Sequence, residues 1–141
     1  WSPSSISYTG NNRTHMIRVP DAGRFELRLM DGSSNPYLLQ AGVIAAGLHG
    51  LNNKVDPGEP LSCNMYTDYK NYPHLKKLPN EIQDALDFLQ NSKELKEAFG
   101  EDVITSYIKL KNMEIKDFRK NDKFDKKSSV THWEKDNTLD C

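Results

Sequence analysis

Charged and apolar residues alternate strictly along residues 24–29, which read Arg-Phe-Glu-Leu-Arg-Leu. A period of two places the three charged side chains on one face of an extended strand and the apolar ones on the other. Residues 15–19 are also compatible with a strand, and the Asp-Ala-Gly sequence at 21–23 between the two runs is typical of a turn. The pattern therefore predicts an antiparallel hairpin whose second strand is half-buried.

A helix is predicted to follow the hairpin. Asn35 can cap the free N–H groups of a first turn, and Pro36 suits the first helical position because it has no donor to satisfy. The helix should run to about Gly50. It is apolar around nearly its whole circumference and rich in alanine and glycine, which predicts a helix buried in a core.

The second half of the chain changes character. Residues 52–79 show no sustained period and indicate a long loop of the kind that usually has a function. Further on, Asn80 resembles a helix cap, a short helix should run from Ser92 to Gly100, and a longer one from Glu101 to about Lys120. Residues 122–141 give no firm prediction. The chain reads as α+β, with strands and a buried helix at 1–50, a loop at 51–79 and helices at 80–141.

Length and charge exclude several classes of protein. The 141 residues suit about one domain, and because the chain begins with Trp rather than Met we expect it to come from a longer parent. A formal net charge of -1 argues against a nucleic-acid partner. The most apolar window, residues 36–51, is shorter than the roughly 20 residues of a membrane span. Cys63 and Cys141 lack metal-site spacing and fit reduced thiols in a cytoplasmic protein.

Four arginines, Arg13, Arg18, Arg24 and Arg28, stand close together in a segment with no lysine. A planar guanidinium can grip phosphate or carboxylate with two hydrogen bonds, which favours an anion site. The alternative is a solvent-facing hairpin held by salt bridges, with Glu26 neutralised between Arg24 and Arg28. Spacing alone leaves both readings open and gives the salt-bridged hairpin the stronger claim.

A longer succession of motifs changes this balance. Residues 12–20 read Asn-Arg-Thr-His-Met-Ile-Arg-Val-Pro, and Glu-Leu-Arg at 26–28 and Asn-Pro-Tyr-Leu at 35–38 follow in order. This succession resembles the glutamine synthetase family, and the likeness continues through residues 45–50, 107–111 and 132–134. The wording of residues 24–29 and of the terminal Thr-Leu-Asp-Cys is most similar to the type III subgroup, which includes γ-glutamylalkylamide synthetases.

The resemblance implies the C-terminal part of a catalytic domain, built as α+β on a curved antiparallel sheet in a cytoplasmic homo-oligomer. It implies an ATP-dependent ligase that joins ammonia or a small amine to L-glutamate through γ-glutamyl phosphate, with Mg²⁺ or Mn²⁺ as cofactor. The fragment alone would be inactive. The alternative is a catalytically silent relative that senses nucleotide or acts as a scaffold.

The resemblance also implies a role for each charged residue. Arg13 and Arg18 would contact the nucleotide phosphates, with Arg13 also near the glutamyl group. Arg24 would contact ATP and act catalytically by stabilising the transferring phosphoryl group. Arg28 would hold the glutamate substrate, and Glu26 would bind the metal, as a carboxylate oxygen suits Mg²⁺ or Mn²⁺.

Other positions are less informative. Asn35 is explained by helix capping, and Tyr66 matches only approximately a tyrosine that some bacterial members adenylylate, since its flanking residues differ. The four histidines have no metal-site spacing, which favours surface or hydrogen-bonded roles. Trp1 stands where ammonia-using members carry a flap glutamate, and indole can neither bind ammonium as an anion does nor accept its proton. The resemblance therefore does not imply ammonia specificity.

Overall fold

The computed structural model describes residues 2–30, 32–121 and 130–138, and the chain divides into two compact units. The first unit comprises Trp1–Asp31 and Asp56–Ala85, and the second comprises Gly32–Val55 and Leu86–Cys141. Each unit is therefore built from two separate stretches of sequence. The architecture is α+β, as predicted.

The first unit contains a three-stranded sheet in the order β1 (Tyr8–Thr9), β2 (Ile17–Asp21) and β3 (Arg24–Leu27). Strands β2 and β3 form the predicted antiparallel hairpin, and Gly23 turns the chain at φ 78°, a conformation that favours glycine. The prediction of a purely antiparallel sheet is wrong, because β1 pairs with β2 in parallel. Residues 10–16 return the chain to the end of the sheet from which β1 started.

Strand β3 is shorter and more exposed than its alternation predicted. It ends at Leu27, although the amide of Arg28 still donates to the carbonyl of Met16 at 2.9 Å. Phe25, on the predicted apolar face, is 57% exposed. The alternation thus separates charged from apolar side chains, but the described residues leave Phe25 and Leu29 on the apolar face exposed.

The predicted loop after residue 52 is ordered by the strand segment. Three backbone hydrogen bonds join them: Ile6 N to Lys76 O at 2.9 Å, Leu78 N to Ser4 O at 3.0 Å and Leu61 N to Tyr8 O at 3.1 Å. The loop also contains a short helix, α2 (Met65–Asp68), and a 3₁₀ turn at Tyr69–Asn71. These contacts tie the loop to the strand segment within the first unit.

The remaining helices are α1 (Pro36–Asn52), α3 (Ile82–Asn91), α4 (Lys93–Phe99), α5 (Glu101–Asn121) and α6 (His132–Thr138). In the second unit α1 packs on α4, which packs on α5. Ile104 and Ile115 of α5 are buried, and the indole N–H of Trp133 on α6 donates to Asp117 on α5 at 2.7 Å. No helix in the described ranges is both long and apolar enough to cross a membrane.

Helix α1 begins as predicted but is not buried. The side chain of Asn35 accepts hydrogen bonds from the amides of Tyr37 and Leu38 at 3.0 and 3.1 Å. No residue of α1 is buried, and Ile44 and Leu51 are 61% and 76% exposed. The prediction of a buried helix is therefore wrong for the part of the chain that the structure describes, in which α1 packs mainly on α4 and much of its apolar surface stays exposed.

Candidate functional site

Arg18 and Glu26 form the centre of the predicted charged cluster. They lie directly opposite each other on β2 and β3, and Arg18 Nη1 donates to Glu26 Oε2 at 2.6 Å. Arg18 is buried, and its Nε donates to the side-chain oxygen of Asn11 at 3.0 Å. The hydrogen bonds that Arg18 donates to acceptors on both sides therefore fix the orientation of its guanidinium.

Arg24 is held more loosely. Its Nη2 lies 3.3 Å from an oxygen of Asp21 and 3.9 Å from Glu26 Oε1, and its side chain is 58% exposed. Exposed ion pairs of this kind contribute little to stability, about 0–1 kcal/mol. Arg24 can therefore leave these partners for a stronger anion at small cost.

The arginines act electrostatically on Glu26. The hydrogen bond from Arg18 is the largest cause lowering the pKa of Glu26, and the charges of Arg18, Arg24 and Arg13 lower it further, against the opposing effect of burial. Glu26 is thus an ionised carboxylate at neutral pH. The influence of Arg13 also brings that residue into the same electrostatic cluster.

Arg28 differs from the other arginines. Among the described residues, its Nη1 is a buried nitrogen with no hydrogen-bond partner. Leaving a buried donor of a charged group unpaired costs free energy. An oxygen of a bound anion could supply the missing acceptor. Nη1 of Arg28 is therefore placed to donate to an acceptor that the described residues do not supply.

Arg13 lies on the loop between β1 and β2, with its side chain exposed to solvent. Its backbone carbonyl accepts a hydrogen bond from the hydroxyl of Tyr66 at 3.2 Å. His15, two residues on, is fully buried, and its Nε2 lies 2.9 Å from the carbonyl oxygen of Cys63. This histidine is hydrogen-bonded, as predicted, and it anchors the loop between β1 and β2.

The structure combines the two readings of the arginine cluster. Glu26 does form salt bridges, but within the described residues its partners are Arg18 and Arg24 rather than Arg24 and Arg28. Arg28 is left with a buried nitrogen available. The sequence reasoning missed Asn11 and Asp21 as partners, and the only signal for either was that Asp21 lies three residues before Arg24.

Glu26 could be one ligand of a metal ion, but a metal site needs further ligands. An ionised carboxylate oxygen is a suitable donor for Mg²⁺ or Mn²⁺. The described residues hold no group of three or more His, Cys, Asp or Glu that could bind a metal ion. Glu26 therefore fits as one ligand, and the described residues by themselves do not form a metal site. Trp1, singled out for the amine substrate, and Cys141 lie outside the described residues.

Comparisons with known proteins agree with the motif succession. The family described as glutamine synthetase, catalytic domain, matches residues 1–135. A glutamine synthetase of Rhizobium meliloti (strain 1021) is 47% identical over 140 residues, which cover 99% of this chain and 30% of that protein. A glutamate–methylamine ligase of Methyloversatilis universalis is 38% identical, again over 99% of this chain and 30% of the relative.

A solved structure described as a GmaS/ADP complex in conformation 1 is 41% identical with a TM-score of 0.80. The similarity covers 100% of this chain and 30% of that one. The chain thus spans about 30% of the length of the curated relatives it matches.

Proposed function

Because this chain belongs to the glutamine synthetase family through its catalytic domain, we propose that the full-length protein is an ATP-dependent ligase acting on L-glutamate. The nucleophile is ammonia or a small amine, since the relatives include a protein named glutamine synthetase and one named glutamate–methylamine ligase. The ADP in the name of the GmaS complex supports a nucleotide site. The active form is a homo-oligomer of the full-length protein.

The reaction has two steps. An oxygen of the glutamate γ-carboxylate attacks the γ-phosphorus of ATP, and the bond to the ADP oxygen breaks to leave γ-glutamyl phosphate. The amine nitrogen then attacks the carbonyl carbon, phosphate leaves, and the nitrogen loses a proton. The first step brings two anions together, and the second places negative charge on the carbonyl oxygen and on the departing phosphate, so catalysis rests on positioned positive charge.

The observation that carries this proposal is the buried Nη1 of Arg28, which has no hydrogen-bond partner within residues 2–30, 32–121 and 130–138. A carboxylate of glutamate would supply the missing acceptor and offset the cost of burying the donor. The arrangement suits selection for substrate, because a ligand without this carboxylate would leave the nitrogen unpaired.

The other residues divide the remaining charge. Arg18, held between Asn11 and Glu26, is a fixed contact for nucleotide phosphate. Arg13, exposed on its loop, also faces nucleotide phosphate and reaches the glutamyl group. Arg24, exposed and weakly paired, stabilises the transferring phosphoryl group as the catalytic arginine. Mg²⁺ or Mn²⁺ would neutralise phosphate charge, with Glu26 as one of its ligands.

The test is the effect of Arg28 on glutamate use. Arg28→Ala in the full-length protein should raise the KM for glutamate by about 30-fold to 10³-fold, because a buried charged hydrogen bond is lost. Arg28→Lys should recover only part of the loss, since an ammonium cannot reproduce the planar fork. Phosphate release is measured with glutamate, ATP, Mg²⁺ and ammonia or methylamine. Arg119→Ala, at an exposed position near the end of α5, is the control.

Two results would contradict the proposal in different ways. An unchanged glutamate KM in Arg28→Ala would remove Arg28 from the substrate site. ATP binding without turnover, whatever the amine, would favour a silent nucleotide-sensing or scaffold subunit. The rest of the full-length sequence also separates the two readings, because a ligase should hold further metal-binding Glu and His residues there and a silent subunit need not.

A further inference from the structure

The loop that carries Arg13 is fastened to a turn about 50 positions away in the sequence. Each residue from 12 to 15 has a hydrogen bond to residues 63–66. The contacts are Asn12 Nδ2 to Cys63 O at 2.9 Å, Tyr66 OH to Arg13 O at 3.2 Å, Met65 N to Thr14 Oγ1 at 3.0 Å and His15 Nε2 to Cys63 O at 2.9 Å. We call residues 63–66 the bracing turn.

The residues on either side of Arg13 are held in place. His15 is buried, and the side-chain oxygen of Asn12 accepts two hydrogen bonds. A carbonyl only accepts, so Nε2 of His15 carries the proton, and Nδ1 then accepts from the hydroxyl of Ser7 at 3.1 Å. The side-chain oxygen of Asn12 accepts from the amide and hydroxyl of Thr14 at 2.9 and 2.8 Å. These bonds hold the positions before and after Arg13.

The contact with Arg13 itself comes from Tyr66, which stands on a rigid support. The amide of Tyr66 donates to the Asn64 side chain at 3.0 Å at the start of α2, and Met65 beside it is only 6% exposed. The Arg13 side chain is exposed, so the direction in which its guanidinium reaches depends strongly on its backbone.

We propose that Tyr66 is a positioning residue that fixes the backbone of Arg13 and thereby directs its guanidinium toward nucleotide phosphate. This rests on the proposed function, in which Arg13 contacts ATP. Tyr66 then needs no modification to matter, because its unmodified hydroxyl has a defined acceptor. A group attached to that oxygen would remove its proton and with it the hydrogen bond to Arg13.

The kinetic test uses Tyr66→Phe in the full-length protein, which removes one oxygen and keeps the ring. The kcat/KM for ATP should fall about two- to tenfold, the range expected for one hydrogen bond. If Tyr66 acts through Arg13, the same substitution in an Arg13→Ala background should change kcat/KM less than twofold. Tyr69→Phe is the matched control, since it keeps the ring contacts of Tyr69 with Lys70 and Lys77.

A second measurement does not depend on activity. Limited trypsin digestion of the native protein, followed by mass spectrometry, reports the rate of cleavage after Arg13. Tyr66→Phe should raise that rate about two- to tenfold because the loop opens more readily, and Tyr69→Phe should not.

The outcomes separate the two proposals. Unchanged cleavage after Arg13, or an equal loss of kcat/KM in both backgrounds, would overturn the role of Tyr66. If Tyr66→Phe is cleaved faster after Arg13 but the Arg13→Ala protein uses ATP normally, the structural role of Tyr66 is supported and the ATP contact assigned to Arg13 is overturned. If Tyr66→Phe is cleaved faster and lowers kcat/KM only in the protein that retains Arg13, both proposals are supported.

Discussion

At the scale of single residues, Glu26 shows how one hydrogen bond couples the sheet to pH. Its pKa is lowered from the ordinary value of 4.5, chiefly by the hydrogen bond from Arg18. A carboxyl with a lower pKa in the folded protein binds fewer protons there than in the unfolded chain. Its stabilising effect is therefore fully present above about pH 4.5 and is lost as the pH falls through the lower, folded value.

This sign leads to a prediction for Glu26→Gln. The variant should unfold at lower urea concentration than the parent at pH 7, and the difference should shrink as the pH falls below 4.5. Urea unfolding at a series of pH values measures it. In an Arg18→Gln background most of the pH dependence should vanish, because the main cause has been removed. A difference that stays constant down to pH 3 would show that Arg18 does not set the ionisation of Glu26.

The sequence could indicate which residues carry charge at the site but not how they pair. Alternation along residues 24–29 places Glu26 and Arg28 on one face, yet Glu26 pairs with Arg18 across the hairpin, and that pairing depends on a shift of register between Arg18 and Asp21 that the turn does not set. The contacts of His15 and Tyr66 span 48 and 53 positions. No local pattern reports contacts of that separation.

At the scale of elements, some helix ends could be read from the sequence and others could not. Asn35 accepts amide hydrogen bonds at the start of α1, and Gly100 ends α4 at φ 85°, both as predicted. The cap at Ser92 was not predicted, and Asn80, which was, lies two residues before α3 begins at Ile82. The capping box of α6 was missed, although Thr131 and Glu134 exchange hydrogen bonds across its first turn. Strand β1 was missed because two residues are too few to show a period.

A cap that belongs to the fold alone should be separable from catalysis. Asn35→Ala should lower the free energy of unfolding by about 0.5–2 kcal/mol, since two amides at the start of α1 lose their acceptor. Asn35→Asp keeps an acceptor oxygen and should retain most of the stability. Urea unfolding gives the first quantity and steady-state kinetics gives KM for ATP and glutamate. A large change in either KM would mean that Asn35 takes part in the site.

At the scale of the whole molecule, residue 1 bears on the choice of nucleophile. The family resemblance implies that Trp1 stands where ammonia-using members carry a flap glutamate. A tryptophan ring can bury methylene groups at roughly 0.8 kcal/mol each and attract a protonated amine by about 0.5–2 kcal/mol. It cannot accept a proton, which removes the advantage that an acid gives to ammonium.

We therefore expect the full-length protein to prefer methylamine or ethylamine over ammonia by about one to two orders of magnitude in kcat/KM. The three amines are compared at equal free-base concentration. Trp1→Glu should move the preference toward ammonia, and Trp1→Phe, which keeps an aromatic face, should not. If ammonia gives the highest kcat/KM in the parent, the protein functions as a glutamine synthetase and Trp1 does not select the amine.

The division of the first unit between residues 1–31 and 56–85 has a consequence for synthesis. A ribosome releases the arginine-bearing hairpin first, but the bracing turn emerges only after the whole of α1. Until then His15 cannot form its hydrogen bond with the carbonyl of Cys63, and the loop around Arg13 lacks its contacts with the bracing turn. Meanwhile α1 presents its apolar surface without α4, the helix on which it packs. We infer that the vulnerable interval for this protein, when chaperones have most to do, lies between the emergence of residue 36 and the emergence of residue 99, where α4 ends.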